Sequence, residues 1–331
     1  MNVWLSLIAF IFLVLLVIVG VSSVGLYSLF GYIIPYTALA VFIIGFIYRV
    51  ISWARSPVPF RIPTTCGQQK TLNWIKPSKL DNPHSTLSVI LRMALEIFLF
   101  RSLFRNTKSE LRDGPRIVYG ASKWLWAAGL AFHWSFLIIL IRHMRFFIEP
   151  VPAILTLAES LDGFFQVGLP IILATDIIII LAVSYLFLRR IFDSKLRYIS
   201  LPADYFPLFL ILGIASTGIL MRYFTKTDLV GIKQLAIGLV SFSPVVPEGI
   251  GLMFYIHLFL VSILLTYFPF SKLMHLGGVF LSPTRNLANT NREKRHVNPW
   301  DYPVKVHTYE EYEDEFRDVM KACGLPLEKE S

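Results

Sequence analysis

Of the seven histidines in the 331-residue chain, four sit inside apolar runs. His133 and His143 lie ten residues apart in AFHWSFLIILIRHMRFFIEP, from Ala131 to Pro150. An α-helix rises about 1.5 Å and turns about 100° per residue, so the two rings occupy neighbouring faces about 15 Å apart, half a bilayer core. His257, in GLMFYIHLFLVSILL, and His275, in SKLMHLGG, are eighteen apart. That is five turns, so an unbroken helix would project both from one face. Ionisable side chains inside a membrane span are costly and mark function. Imidazoles there ligate metal, relay protons or make hydrogen bonds.

The elements that must position these rings are membrane helices. Fifty-five per cent of the residues are hydrophobic and sixteen per cent charged, with a mean hydropathy of +0.61. This balance excludes a soluble domain of such length and indicates an all-α integral membrane protein. Six transmembrane helices are expected. Residues 4–30 and 32–53 form a hairpin around the uncharged Phe30-Gly31 link, and 121–148, 164–188, 204–222 and 249–270 follow. The last continues as helix past Pro269 towards Leu281. The chain thus divides into an N-terminal transmembrane hairpin (1–53), a basic loop (54–120), a transmembrane bundle (121–281) and a polar tail (282–331). The first segment lacks a basic n-region and reads as a retained anchor.

Charge sets the topology. From Arg49 to Lys123 there are thirteen Lys/Arg against four Asp/Glu, with Pro57, Pro59, Pro63, Pro77 and Pro83 marking irregular chain. Within it, Leu87–Leu103 carries Arg92, Glu96 and Arg101, and reads as an interfacial helix on which Arg92 pairs with Glu96. Glu149–Gly163 has three acids and no Lys/Arg, whereas Arg189–Asp204 has four Lys/Arg against two acids. The positive-inside rule then makes the basic loop, the 189–204 loop and both termini cytoplasmic in the cell membrane, and the acidic loop external. Arg222, Lys226 and Lys233 on the next outer loop run against this. The net charge of +9 is read as topology, not as nucleic-acid binding. Cys66 and Cys323 belong to no C-x-x-C pattern, which argues against a disulfide framework, an iron–sulfur site or covalent haem attachment. Both are expected to be free thiols.

On this topology the third and sixth spans are antiparallel, so His143 faces His257 at outer depth and His133 faces His275 at inner depth. Two histidines at one depth on facing helices can hold one b-type haem through both axial positions. Two such sites are expected, with Pro269 kinking the last helix to reconcile separations of about 15 and about 27 Å. The alternatives are a histidine-based proton channel or transporter, or a non-redox membrane anchor. Zinc is disfavoured because nothing supplies further close ligands. His84, His296 and His307 have no spaced partner and are expected to be solvated. Asp176, in LATDIIII, serves either a proton route or a hydrogen bond to a neighbouring helix. The acidic run Glu310–Glu315 is a solvated helix face or a docking surface. Arg49, Arg55 and Arg61 could meet haem propionates or a partner subunit.

The ten- and eighteen-residue spacings, over roughly 120–281, resemble the haem-bearing gamma subunit of respiratory nitrate reductase. The whole chain is similar to the DsrM-type membrane subunit of the sulfite-reduction-associated complex. It is also similar to the cytochrome b subunit of heterodisulfide-reductase-like menaquinol oxidoreductases. The carrying features are the leading anchor, Cys66-Gly67-Gln68-Gln69-Lys70 with Leu72-Asn73-Trp74, the RHMRFFIEPVP run from Arg142 to Pro152, and the polar tail. The resemblance implies a quinol oxidoreductase subunit of a respiratory complex. It would pass electrons from menaquinol through two b haems to a cytoplasmic iron–sulfur subunit related to heterodisulfide reductase. It also implies a quinol site at the outer haem, near His143 and the 149–163 loop. Arg142 and Arg145 there are candidates for haem propionates or quinone carbonyls, or for interfacial snorkelling, and Glu149 is a candidate proton acceptor.

Overall fold

The computed structural model describes residues 2–56, 67–104, 108–165, 170–225, 227–292 and 306–329. Expectations placed on Arg61, Cys66, Lys226 and His296 fall outside the described residues. No charged residue precedes Arg49, and in lipid such a chain must satisfy its backbone internally, so it forms helices. These are α1 (Asn2–Ile18), prolonged by a π turn at Val19–Ser23, and α2 (Ile34–Ala54), led in by a π turn at Leu29–Ile33. The hairpin turns earlier than expected, at Val24–Leu26, because Gly25 adopts φ +74°, a conformation costly for other residues. Phe30 and Gly31 are instead buried in the bundle.

In the basic loop, α3 (Thr86–Leu99) starts from a Ser85 cap and ends where Phe100 turns left-handed, leading into the single turn α4 (Arg101–Phe104). Its exposed face is apolar (Leu87, Ile90, Leu91, Phe98, Leu99), and its inward face holds Arg92 and Glu96. Those two do not bond to each other as expected. Arg92 Nη1 donates to the Asp81 carbonyl at 3.0 Å, and Glu96 takes the Ser102 amide at 3.1 Å together with the Ser102 hydroxyl, which the turn at Phe100 swings over it. His84 is half-buried rather than fully solvated. Its Nδ1 is enclosed, because the neighbouring Pro83 carbonyl and Asn82 side chain are tied to Asn289, at 2.6 and 2.7 Å. An unanticipated hairpin follows, β1 (Lys108–Arg112) antiparallel to β2 (Arg116–Gly120) around Asp113-Gly114.

Beyond it come α5 (Lys123–His143), α6 (Ala153–Asp162), the short pair β3 (Gly163–Phe165) and β4 (Ile172–Leu173), and α7 (Ala174–Phe192). Next are α8 (Ser194–Ile199), α9 (Pro202–Leu220), α10 (Leu229–Val240) and α11 (Leu252–Tyr267). Among the described residues five helical stretches are long and apolar enough to cross a membrane: Asn2–Ser23, Leu29–Ala54, Lys123–Phe146, Pro202–Thr225 and Leu252–Phe270. The span expected at 164–188 begins only at Ala174, since β3 and β4 pair ahead of it. The resulting α7 is charged at both ends, by Asp176 and by Arg189 and Arg190.

The helix of the last span does not continue to Leu281. Pro269 has no N–H to give and its ring crowds the preceding turn, so α11 ends at Tyr267 and Phe268–Phe270 tightens to a 3₁₀ turn. Ser271 is extended and caps a second 3₁₀ turn, Lys272–Met274, through its hydroxyl to the Leu273 amide at 3.2 Å. His275 then opens the single-turn α12 (His275–Gly278). A final helix, α13 (Tyr309–Ala322), lies in the tail.

In the bundle α5 packs on α7, α7 on α9, α9 on α11 and α11 on α2, with α1 against α9 and α11. Val17, Phe30, Leu210, Tyr255, Phe259 and Leu260 form the centre of the core. Outward faces remain apolar, with Ile8, Phe12, Ile44 and Leu181 more than 60% exposed, as lipid contact requires.

Candidate functional site

His133 and His143 project from α5, His257 from α11, and His275 from the start of α12. In three of these rings Nδ1 meets a carbonyl: Gly129 at 2.7 Å for His133, Ile139 at 2.7 Å for His143, and Lys272 at 2.9 Å for His275. A carbonyl only accepts, so each Nδ1 carries its hydrogen, and in the neutral ring Nε2 keeps a lone pair. His257 Nδ1 lies 2.9 Å from Thr217 Oγ1, whose hydrogen is shared by the helix carbonyls of Gly213 at 2.8 Å and Ile214 at 3.0 Å. The hydroxyl oxygen is therefore the acceptor, and Nε2 of His257 is free as well. A donating Nδ1 with a bare Nε2 is the state in which histidine ligates a metal.

The fold gathers the four rings in crossed pairs. His133 and His275 have ring centroids 5.8 Å apart with planes at 79°, and His143 and His257 are 6.3 Å apart with planes at 11°. A metal held between two imidazoles by bonds of about 2 Å separates the ring centres by about 6 Å. Among the described residues no three His, Cys, Asp or Glu side chains cluster as a metal site, so each pair offers two protein ligands. Zinc takes four, whereas an iron porphyrin brings four nitrogens of its own and asks for two axial ligands. The donor set fits haem. Aromatic rings stand around it: Phe100 and Phe132 are each 4.9 Å from His133, and Phe146 is 6.0 Å from His143.

Beside the His143 pair the arginines have carboxylate partners that the sequence did not reveal. Arg142, buried, is ion-paired with Asp162 and donates to Thr175 Oγ1 at 2.8 Å. Asp162 also accepts the Thr175 amide at 2.9 Å, and Asp176 Oδ1 lies 3.8 Å from Arg142. One guanidinium thereby ties α5 to α6 and α7. Asp176 Oδ2 in turn accepts the Tyr223 hydroxyl at 2.8 Å, a bond to the turn that prolongs α9. Arg145 pairs with Glu159 at 2.5 Å, and Arg222 stands 3.8 Å from the same carboxylate.

Glu149 meets Lys233 of α10. Together with Arg145, Phe146, Leu229 and Gln234 they line an open cleft of about 520 Å³ that adjoins His143 through Phe146. Lys233 stands 84 residues from Glu149 in the chain, and only its conflict with the positive-inside rule set it apart. Thr217 carried a weaker signal, one of two adjacent hydroxyls with Ser216 in ILGIASTGIL, opposite a histidine-bearing span. Arg49 lies on α2 with its guanidinium over the Trp53 ring at 5.3 Å. His307 pairs with Glu315 at 3.5 Å, and Cys323 is an exposed free thiol, both far along the chain from the four histidines.

Comparison with known proteins bears on this arrangement. Residues 93–291 match the family model of the nitrate reductase gamma subunit. Over 280 residues the chain is 48% identical to the Hdr-like menaquinol oxidoreductase cytochrome b-like subunit of Archaeoglobus fulgidus, covering 82% of this chain and 83% of the relative. The subunit of the same description from Archaeoglobus profundus is 45% identical over 277 residues, 82% of each chain. The chain therefore belongs to the nitrate reductase gamma-subunit family, among the Hdr-like menaquinol oxidoreductase cytochrome b-like subunits.

Proposed function

We propose that this chain is the membrane cytochrome b subunit of a respiratory complex. It oxidises menaquinol and delivers the electrons through two b haems to a cytoplasmic iron–sulfur subunit related to heterodisulfide reductase. The observation that carries the reading is the double juxtaposition, His143 with His257 and His133 with His275, at ring separations of 6.3 and 5.8 Å. The names of the relatives support the substrate and the type of complex. Haem supplies a one-electron relay that a bare helix bundle lacks. The ten residues between His133 and His143 carry that relay about 15 Å along α5, from one half of the bilayer to the other.

The sixth crossing is α7. Its 19 residues reach about 28 Å, close to the thickness of the hydrocarbon core; an even number of crossings puts both termini on one side, and the loop charges make that side the cytoplasm. The basic loop and the tail then face the iron–sulfur partner. On the outside, quinol occupies the cleft beside His143. Lys233 Nζ donates to a ring oxygen, and Glu149 Oε2, beside that lysine, takes the two hydroxyl protons in turn, passing the first to external water before it accepts the second. Arg145 and Glu159 form the polar rim. Arg142, locked to Asp162, fixes the end of α5 so that His143 keeps its orientation.

The test is anaerobic mixing of the purified, oxidised chain with a soluble menaquinol analogue. The expected result is reduction of b-type haem, with two haems per chain and loss of rapid reduction in Glu149→Gln. A chain free of haem, or haems that quinol does not reduce, would refute the reading.

A further inference from the structure

The N-terminal hairpin precedes the 93–291 region that matches the gamma-subunit family, yet its second helix is built against the segment that carries His275. Phe42, Gly45, Phe46, Arg49, Val50 and Trp53 recur at three- and four-residue intervals and so share one face of α2. Phe42 stacks edge-on against Phe268 at 5.4 Å. At Gly45 the backbone comes so close that an added β-carbon would lie 2.7 Å from Pro269 Cβ and 2.9 Å from its Cγ. A β-carbon built on Gly277, two residues after His275, would lie 3.3 Å from Phe46 and 3.5 Å from Val50, and one on Gly278 would lie 3.6 Å from Trp53. The break in the last span, from Pro269 to α12, is therefore clasped by a single helical face.

Arg49 belongs to that face, between the two residues that meet Gly277. Trp53 covers the flat side of its guanidinium, leaving the N–H edges to find acceptors. Its Nε is enclosed and, among the described residues, has no acceptor. A buried arginine N–H without a partner is expensive, and a carboxylate is the acceptor that suits it best.

We propose that the hairpin is a working part of the His133–His275 haem site: α2 sets the position of His275 through the Gly45 and Gly277 contacts, and Arg49 binds a propionate of that haem. The proposal rests on the two-haem reading above, and the experiment separates the two. In the full-length chain, Gly45→Val, Arg49→Gln, Arg49→Lys and the lipid-facing control Ile44→Ala are compared by haem content, electron paramagnetic resonance and redox titration of each haem.

Gly45→Val is expected to lose one of two haems, the same one that His275→Ala loses. Arg49→Gln is expected to keep both and to lower the midpoint of that haem alone, because removing a cation disfavours the reduced, more negative form. Arg49→Lys should restore part of the shift, and Ile44→Ala should match the wild type. Two unaltered haems in Gly45→Val, or unshifted midpoints in Arg49→Gln, overturn the proposal. Should Gly45→Val fail to accumulate, Arg49→Gln alone decides. A wild-type chain without haem refutes the two-haem reading itself.

Discussion

Thr217 decides how His257 presents its ring, and valine at that position isolates the role. The hydroxyl oxygen accepts from Nδ1 at 2.9 Å while its hydrogen is shared by the Gly213 and Ile214 carbonyls at 2.8 and 3.0 Å. Valine keeps the shape and removes both. The two carbonyls lose little, since they retain their places in the helix. Nδ1 then loses its 2.9 Å acceptor and has only the Ile214 carbonyl to turn to, a loss of up to about 1–3 kcal/mol for a buried donor. The ring can relieve this by rotating or by moving its hydrogen to Nε2, and either change spoils the lone pair offered to a metal. Loss of such a supporting bond weakens metal affinity about 10- to 100-fold, which is about 1.4 to 2.8 kcal/mol and agrees with the burial argument. The assay is titration of haem into the haem-depleted Thr217→Val chain, followed site by site in the low-spin spectrum. Binding at the His143–His257 pair should weaken by that factor, with His133–His275 unchanged and Thr217→Ser close to wild type. Wild-type affinity at the His143–His257 pair in Thr217→Val would refute the assignment of Nδ1 as donor.

The same geometry sets other outcomes. Asp162→Ala leaves Arg142, with a side chain only 10% exposed, short of its main counter-charge; breaking a buried pair on one side costs about 3–5 kcal/mol, less whatever Asp176 at 3.8 Å recovers. Thermal unfolding in detergent should show this, and Arg142→Met with Asp162→Leu should regain most of it. Lys233→Met should slow quinol oxidation by about 10²- to 10⁴-fold with both haems retained in the optical spectrum. In the tail, burial pushes the Glu313 carboxyl up, but the Glu328 and Lys329 amides and the charges of Arg317 and Lys329 outweigh it and hold it below its usual 4.5. Its folded pKa is depressed, so the stability it lends the tail is present above pH 4.5 and is lost as pH falls below that value. Backbone resonances of α13 in the full chain should report loss of the fold on acidification, and Glu313→Gln should flatten that dependence.

The crossed juxtaposition of the four histidines was legible because it depends on two quantities that sequence carries well, residue spacing within apolar runs and loop charge. The path of the last span was less so. Pro269 foretold a disturbance, but whether a proline kinks a helix or ends it depends on the residues after it, and Ser271 capping the next turn ended it. The charged groups beside His143 were the least legible. Arg142 looked available to a ligand because its partner, Asp162, arrives through α6 and the strand pair, where spacing along a single helix says nothing. Lys233 comes from α10, 84 residues beyond Glu149. The hairpin's role was hidden for the same reason, since α2 reads as a plain apolar anchor until its glycine is seen against Pro269.

The central claim is that the four histidines form two separate axial pairs. It is tested most directly by counting haems and recording low-spin resonance signals in the four single variants, His133→Ala, His143→Ala, His257→Ala and His275→Ala. Each variant should keep one haem, with His143→Ala and His257→Ala losing the same signal and His133→Ala and His275→Ala losing the other. Loss of different signals within a pair, or two intact haems in any of the four, would contradict the account.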